Sequence, residues 1–208
     1  MGKSIGVTQF LSKRYKTIAL PEEWIKVLGM VETGFRIIIW GPSGSGKTTF
    51  ALKMCKMLSG FGKVYYNSIE QGEGASLQNA IRQVGMEECA GKIVFGDRDS
   101  FEEMVEKLKR NKAMFFVIDS AQYANLTQFQ YKILNEMFPR KGIVIISWEG
   151  SGGHPKGEAA KAIRYMVDVK IHVRNGVAVA QSRYGATHPY RIFESTVTSG
   201  QTQLEINS

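Results

Sequence analysis

A glycine-rich stretch of the chain has the residue types and the spacing needed to bind a row of phosphate groups. It follows the pattern G-x-x-x-x-G-K-T and lies between an apolar segment, Phe35–Trp40, and a segment that favours helix, Thr48–Leu58. Glycines let backbone amides curl around phosphate oxygens, and a helix that begins at the loop points its positive dipole end at the anion. We therefore predict a nucleotide site formed by Gly41, Pro42, Ser43, Gly44, Ser45, Gly46, Lys47, Thr48 and Thr49.

Three side chains are predicted to hold the nucleotide and its metal. Lys47 would reach the β and γ phosphates of ATP, and the hydroxyl of Thr48 would bind Mg²⁺. Asp119 ends the apolar run Ala113–Ile118, and a carboxylate at the end of a buried strand can hold the hydration shell of that metal. The alternative is that Asp119 only caps the strand or begins a turn. ATP and Mg²⁺ are thus the expected ligands.

Hydrolysis of ATP would also need a base that orients or activates water beside the γ phosphate. Glu70 is the candidate because it follows the predicted strand Val64–Ser68 at its carboxyl end, the sheet edge at which open α/β folds bind ligands. The alternative is an ordinary surface carboxylate in the polar loop 70–74. Position along the chain leaves both alternatives open. We nevertheless predict that Glu70, together with Lys47 of the phosphate loop, is catalytic.

Apolar segments alternate with helix-favouring segments through the middle of the chain. Such alternation predicts an α/β fold with a mainly parallel central sheet flanked by helices. Helices are expected at 76–84, 100–110 and 126–138. Besides Phe35–Trp40, the apolar segments are Val64–Tyr66, Lys92–Phe95, Ala113–Ile118 and Gly142–Ser147.

The last third of the chain predicts an antiparallel hairpin that extends the sheet at one edge. Its strands would be Val167–Val173 and Val177–Ser182, joined at Asn175-Gly176, a dipeptide that favours a tight turn. Tyr190–Glu194 would add a further strand. With 208 residues, one globular domain is expected, divided into a lead-in segment at 1–34, a core at 35–195 and a polar tail at 196–208.

The overall composition restricts the class of protein and the compartment. The formal net charge of +8 would favour a polyanionic partner, although charge alone carries no specificity. Cys55 and Cys89 have neither zinc nor redox spacing, which fits a reducing compartment. Met1–Lys16 has no continuous apolar segment of the length that a signal peptide or membrane span requires. We expect a cytoplasmic protein without a membrane partner.

Three short motifs resemble those of the RecA-like P-loop ATPase superfamily, which includes RecA-, RadA- and KaiC-like ATPases and the core of DnaB-type helicases. Ser68-Ile69-Glu70 resembles its strand-end Ser-x-Glu, whose glutamate activates water, and Val117–Ser120 resembles its second motif. Gln181–Gly185 is similar to the K-x-R-x-G element of DnaB-type proteins. The resemblance, which covers Phe35–Phe193, implies a homo-oligomer, a ring or filament in which Arg183 acts in trans on a neighbouring ATP site.

The same resemblance implies contact with single-stranded DNA through the loops at 121–125 and 150–164, the second of which carries Lys156 and Arg164. The alternative is an ordinary solvated loop and helix face. Members of the superfamily often have a sensor glutamine after the next strand, whereas here that strand runs into Trp148-Glu149. Glu149 is therefore either a substitute sensor or a loop residue.

The leading hypothesis is a RecA-like ATPase that acts on DNA in recombination, repair or phage replication. The phosphate loop also resembles that of guanylate kinases, so a small-molecule kinase is the second hypothesis, although no arginine-rich lid segment follows the core. A third is a nucleotide-gated adaptor in which Glu70 is not catalytic. Tyr184 and Tyr190 are candidates for stacking on adenine.

Overall fold

The computed structural model describes residues 4–193, in which eight strands form one sheet. The strands are β1 Arg36–Gly41, β2 Lys63–Ser68, β3 Ile93–Asp97, β4 Ala113–Asp119, β5 Gly142–Trp148, β6 Val169–Arg174, β7 Val177–Ser182 and β8 Tyr190–Arg191. Their spatial order is β3-β2-β4-β5-β1-β6-β7-β8. Strands β1 to β6 are parallel, whereas β7 and β8 each run antiparallel to the preceding strand. The predicted α/β fold with a mainly parallel sheet is confirmed.

The helices are α1 Val7–Leu11, α2 Glu22–Leu28, α3 Lys47–Leu58, α4 Ala75–Val84, α5 Phe101–Arg110, α6 Gln128–Met137 and α7 Glu158–Met166. Helices α2 to α7 cover the two faces of the sheet, whereas α1 has no buried residue. Two of them begin with a capping box, in which a hydroxyl and a side chain three residues later satisfy the free amides of the first turn. These boxes are formed by Ser100 with Glu103 at α5 and by Thr127 with Gln130 at α6.

The hydrophobic core is divided between the two faces because successive side chains of a strand point in opposite directions. On β1, Ile37 and Ile39 lie in a cluster with α2, α3 and α4, whereas Ile38 and Trp40 lie in a cluster with α5, α6 and α7. All six residues of β1 are buried. The strand that carries the phosphate loop is therefore at the centre of the fold and held from both sides.

The predicted lead-in segment packs into the same hydrophobic cluster as α3. Trp24, on α2, is only 3% exposed, and its ring centroid lies 5.8 Å from that of Phe50 and 4.9 Å from that of Tyr190. Tyr190 is partly buried and packs against this part of the core. The predicted tail 196–208 and the end of the predicted last strand lie outside the described residues.

The hairpin forms at the predicted turn, and its two strands pair antiparallel, as predicted. Strand β6 pairs with β1 in parallel, and only its pairing with β7 is antiparallel. The reason is that α7 crosses over the sheet between β5 and β6, and a crossover connection returns the chain in the same direction. Among residues 4–193, the model contains no helix both long and apolar enough to cross a bilayer.

Candidate nucleotide site

The glycine loop lies between β1 and α3, at the edge where the parallel strands end. Gly44 and Gly46 have φ angles of 72° and 99°, in the left-handed region that favours glycine. A Cβ on Gly41 would lie 2.0 Å from the carbonyl oxygen of Val173, so the loop backbone can approach β6 only with glycine there. The loop thus turns sharply, and its amides lead directly into the N-terminus of α3, an arrangement that fits a phosphate group.

Lys47 is held against its own loop. Its Nζ donates to the carbonyl oxygens of Gly41 at 2.9 Å and Pro42 at 2.7 Å. Partial burial lowers the pKa of Lys47, while the charges of Glu70 and Asp119 act in the opposite direction. These carbonyl partners are weaker acceptors than anionic phosphate oxygens, so a bound nucleotide would compete well for the ammonium group.

Asp119 lies at the end of β4 with only 3% exposure. The Oγ1 of Thr48 lies 3.5 Å from its Oδ2, which also accepts a hydrogen bond from the hydroxyl of Tyr66. Burial raises the pKa of Asp119 to about 6, while the Tyr66 hydrogen bond opposes this shift and the charge of Glu70 adds to it. A hydroxyl and a carboxylate side by side are oxygen ligands of the kind that Mg²⁺ takes, so these two residues fit the predicted metal.

Glu70 is brought to the same place by backbone contacts with β4. The amides of Ile69 and Glu70 donate to the carbonyl oxygen of Asp119 at 2.7 and 3.0 Å. The Glu70 side chain is exposed, and its Oε2 accepts a hydrogen bond from Nε1 of Trp148 at 3.0 Å. The structure therefore places the four polar side chains predicted to act on nucleotide around one cleft: those of Lys47, Thr48, Glu70 and Asp119.

The cleft has a volume of about 600 Å³, and two aromatic residues that line it, Trp148 and Phe193, were not predicted there. Trp148 ends β5, which neighbours β1, so the position of the strand could have indicated it; Glu149, for which a sensor role was considered, follows it and also lines the cleft. Phe193 comes from the far end of the described chain and gives no sequence signal. The residues that line the cleft are Ser43, Gly44, Gly46, Lys47, Thr48, Thr49, Glu70, Gln71, Ser76, Ala80, Asp119, Trp148, Glu149, Lys156 and Phe193.

Phe193 is an aromatic side chain that lies against the phosphate loop. A Cβ on Gly46 would lie 3.2 Å from its ring, and one on Gly176 in the hairpin turn would lie 2.9 Å from it. The ring is 53% exposed. Tyr184 and Tyr190, the candidates for stacking on adenine, do not line this cleft, and both are partly buried against the core cluster that includes Trp24.

Arg183 does not reach the cleft of its own chain. It follows β7, whose end pairs with the start of β6, so it lies at the opposite edge of the sheet from the phosphate loop. Its guanidinium NH1 lies 3.5 Å from Oδ1 of Asp168, and the side chain is 65% exposed. Within one chain, Arg183 is therefore a surface arginine paired with a carboxylate.

Glu149 lies beside the phosphate loop and lines the cleft. Its amide donates to the carbonyl oxygen of Gly41 at 3.1 Å, and its carboxylate contacts His172 and Arg174 on β6. With only 12% of the side chain exposed, the carboxylate links β5 to β6 beneath the loop. Glu149 is therefore hydrogen-bonded to the loop backbone, and this contact does not depend on a role as a sensor.

Most cationic side chains of the segment 150–164 contact an aromatic ring or a carboxylate of the same chain. Lys156 lies over the ring of Trp148 with its Nζ 5.1 Å from the centroid, and Arg164 lies over Trp40 at 5.1 Å. Lys161 pairs with Glu158 at 2.8 Å. These cations are attached to aromatic faces or to a carboxylate and do not form a uniform basic surface.

A phosphate loop after the central β1, a carboxylate at the end of β4 and the sheet order given above define a RecA-like P-loop ATPase fold. The sequence matches no protein-family model and no curated protein. Beyond the short motifs described above, the likeness to known proteins is therefore one of three-dimensional fold.

Two solved structures share this fold. A KaiC-like protein from the hyperthermophilic archaeon Pyrococcus horikoshii OT3 aligns with a TM-score of 0.61 and 15% identity, over 85% of this chain and 93% of that chain. A structure described as an ATPase domain aligns with a TM-score of 0.60 and 14% identity, over 88% of this chain and 90% of that chain. The predicted resemblance is thus confirmed at the level of the fold.

Proposed function

We propose that the protein binds ATP with Mg²⁺ and hydrolyses it. The observation that carries this proposal is the convergence of Lys47, Thr48, Asp119 and Glu70 on one cleft beside the N-terminus of α3. The first three would bind the triphosphate and its metal, and Glu70 would act on water. Mg²⁺, when bound, neutralises charge on the phosphate oxygens.

In the proposed reaction, the loop amides and Lys47 hold the β and γ phosphates, while Glu70 orients a water molecule toward the γ phosphorus. The water oxygen forms a bond to that phosphorus, and the bond between phosphorus and the β–γ bridging oxygen breaks. Glu70 accepts the proton that the water loses. The products are ADP and inorganic phosphate, so no further reactant is required.

The direct test is release of phosphate from ATP in the presence of Mg²⁺. We expect Glu70→Gln to lower kcat by about 100-fold or more while ATP still binds, since a general base contributes at least that much. Lys47→Ala should prevent binding. Absence of turnover in the wild type, with ATP bound, would favour the adaptor hypothesis instead. Transfer of the phosphoryl group to a nucleoside monophosphate would favour the kinase.

We further propose that the active form is a homo-oligomer, a ring or filament, in which Arg183 of one chain stabilises charge at the ATP site of another. Its position at the sheet edge opposite the phosphate loop supports this proposal, because the same chain cannot use it. Activity per chain should rise with protein concentration, and added Arg183→Ala chains should inhibit the wild type. Activity that is strictly proportional to concentration would contradict the proposal.

Action on DNA is the remaining part of the proposed function. The segment 150–164 supports it because it borders the cleft through Lys156, and the exposed Tyr165 follows the segment directly and lies near Lys161. Aromatic rings and cations together are what single-stranded nucleic acid contacts require. ATP turnover measured with and without single-stranded DNA over a range of salt concentrations tests this. Turnover and affinity that do not respond to DNA would reject it.

A further inference from the structure

We infer that Trp148 is a positioning residue for Glu70, an inference that depends on the proposed hydrolysis of ATP. The only side-chain hydrogen bond given to the Glu70 carboxylate within residues 4–193 comes from Nε1 of Trp148, at 3.0 Å. Both residues line the cleft, at the carboxyl ends of β2 and β5. These strands are separated by β4, so the contact spans the position of Asp119.

The indole is held in place independently of Glu70. The backbone amide of Trp148 donates to Oε1 of Gln122 at 3.0 Å, and its carbonyl oxygen accepts from the amide of Lys156 at 2.8 Å. The side-chain amide of Gln122 also donates to the carbonyl oxygen of Lys156 at 2.8 Å. Gln122 therefore fixes the end of β5 and the start of the following segment relative to the loop after β4.

The ring itself is packed on its face and edge. Lys156 lies over it with Nζ 5.1 Å from the centroid, and Tyr123 makes an edge contact with centroids 5.4 Å apart and planes at 79°. A ring held by backbone, cation and aromatic contacts has few alternative orientations. The glutamate is exposed and has free torsions in its side chain, so the ring determines the carboxylate position and not the reverse.

This contact leaves one carboxylate oxygen for chemistry. The bond occupies Oε2, so among residues 4–193 Oε1 has no protein donor and can accept a hydrogen bond from water. A carboxylate fixed through one oxygen presents the other in a defined direction, which is what a positioned general base requires. The sensor glutamine that the superfamily resemblance implied is replaced here by an aromatic donor at the same strand end, which Gln122 supports from the neighbouring loop.

Trp148→Phe is the decisive variant because it removes the indole N–H and keeps a ring for Lys156 and Tyr123. We expect kcat to fall on the order of 10-fold, since misplacing a catalytic group by about 1 Å has effects of that size or more. KM for ATP and the affinity for a non-hydrolysable ATP analogue should not change. Adding Trp148→Phe to Glu70→Gln should have no further effect on kcat. An unchanged kcat in the single variant, or additive losses in the double variant, would overturn the inference.

The matched control is Trp24→Phe. Trp24 is buried in the core and does not line the cleft, so this variant also loses an indole but should keep kcat within about twofold. A loss of kcat equal to that of Trp148→Phe would reveal a general effect on the fold. Thermal unfolding of both variants confirms that the proteins compared are folded.

A second measurement tests the contact without ATP hydrolysis. Trp24 and Trp40 are 3% and 4% exposed, so the emission difference between the wild type and Trp148→Phe reports Trp148. That difference spectrum should change when Glu70 is replaced by alanine, because the carboxylate bonds to the indole. If it does not change, the inference fails even for an active ATPase. If it changes in a protein that has no turnover, the contact exists and the proposed hydrolysis fails.

Discussion

The carboxylates of Asp119 and Glu70 lie at the ends of the neighbouring strands β4 and β2, but they differ in burial and in their contacts. Asp119 is buried beside Thr48 and Tyr66, whereas Glu70 is exposed and, among the described residues, its carboxylate accepts a hydrogen bond only from an indole N–H. Desolvation therefore controls the ionisation of Asp119, while packing of a neighbouring ring controls the position of Glu70. Two carboxylates at one sheet edge can therefore differ in ionisation and in freedom of position because their surroundings differ, and this difference suits one to binding and the other to proton transfer.

The largest expected effect separates these two roles. We expect Asp119→Asn to reduce the stabilisation of the fold by Mg²⁺ and ATP to near zero, since it removes the charged oxygen ligand of the metal. Glu70→Gln should retain the stabilisation. Thermal unfolding with and without Mg²⁺ and ATP measures both. Equal loss of stabilisation in the two variants would remove the distinction between a binding and a catalytic carboxylate.

A smaller effect should appear in the free energy of unfolding without ligand. The folded-state pKa of Asp119, about 6, exceeds its usual value of 3.8, so its contribution to stability is present below pH 3.8 and is lost as the pH rises through 6. Asp119→Asn should therefore stabilise the ligand-free protein by about 2 to 3 kcal/mol at pH 8 and by under about 1 kcal/mol at pH 4. Denaturant unfolding at several pH values measures this.

The control for that measurement is Glu70→Gln, which lies at an exposed position and should change the free energy of unfolding by less than about 0.5 kcal/mol. A pH-independent gain for Asp119→Asn would contradict burial as the cause of the raised pKa.

Next in size is the effect of the hydroxyl that touches Asp119. Its hydrogen bond lowers the pKa of Asp119, so Tyr66→Phe should raise that pKa further and weaken binding of Mg²⁺ and ATP near neutral pH by roughly 3- to 10-fold. The weakening should decrease as the pH rises above the pKa. Titration calorimetry at pH 6.5 and pH 8.5 tests the direction, and an equal loss at both would contradict it.

The smallest expected effect concerns Arg183. Its pair with Asp168 is largely exposed on the arginine side, and exposed ion pairs contribute little. We expect Arg183→Ala to change the free energy of unfolding by less than about 0.5 kcal/mol. A much larger loss would mean that Arg183 has a structural role in one chain, and the inhibition expected in mixed oligomers would then need another explanation.

Local patterns predicted the parts of the site that act within one segment. The loop 41–48 and the strand-end position of Asp119 depend on nearest neighbours, so the sequence is sufficient to find them. Trp148 and Phe193 were missed as cleft residues because their proximity depends on which strands are adjacent, and sheet order is not encoded in local periodicity. The parallel pairing of β6 with β1 was not predicted for the same reason: the turn at Asn175-Gly176 defines only the pairing that follows it.

The phosphate loop is continuous in sequence, but its backbone is held by residues more than a hundred positions downstream. The amide of Glu149 donates to the carbonyl oxygen of Gly41, and the amide of Gly176 donates to that of Ser45 at 3.2 Å. The carbonyl oxygen of Val173 packs directly against Gly41. Contacts between such distant segments form late in folding because long loops must close first. A nascent chain that has emerged only as far as α6 therefore contains the whole motif and still lacks a competent site.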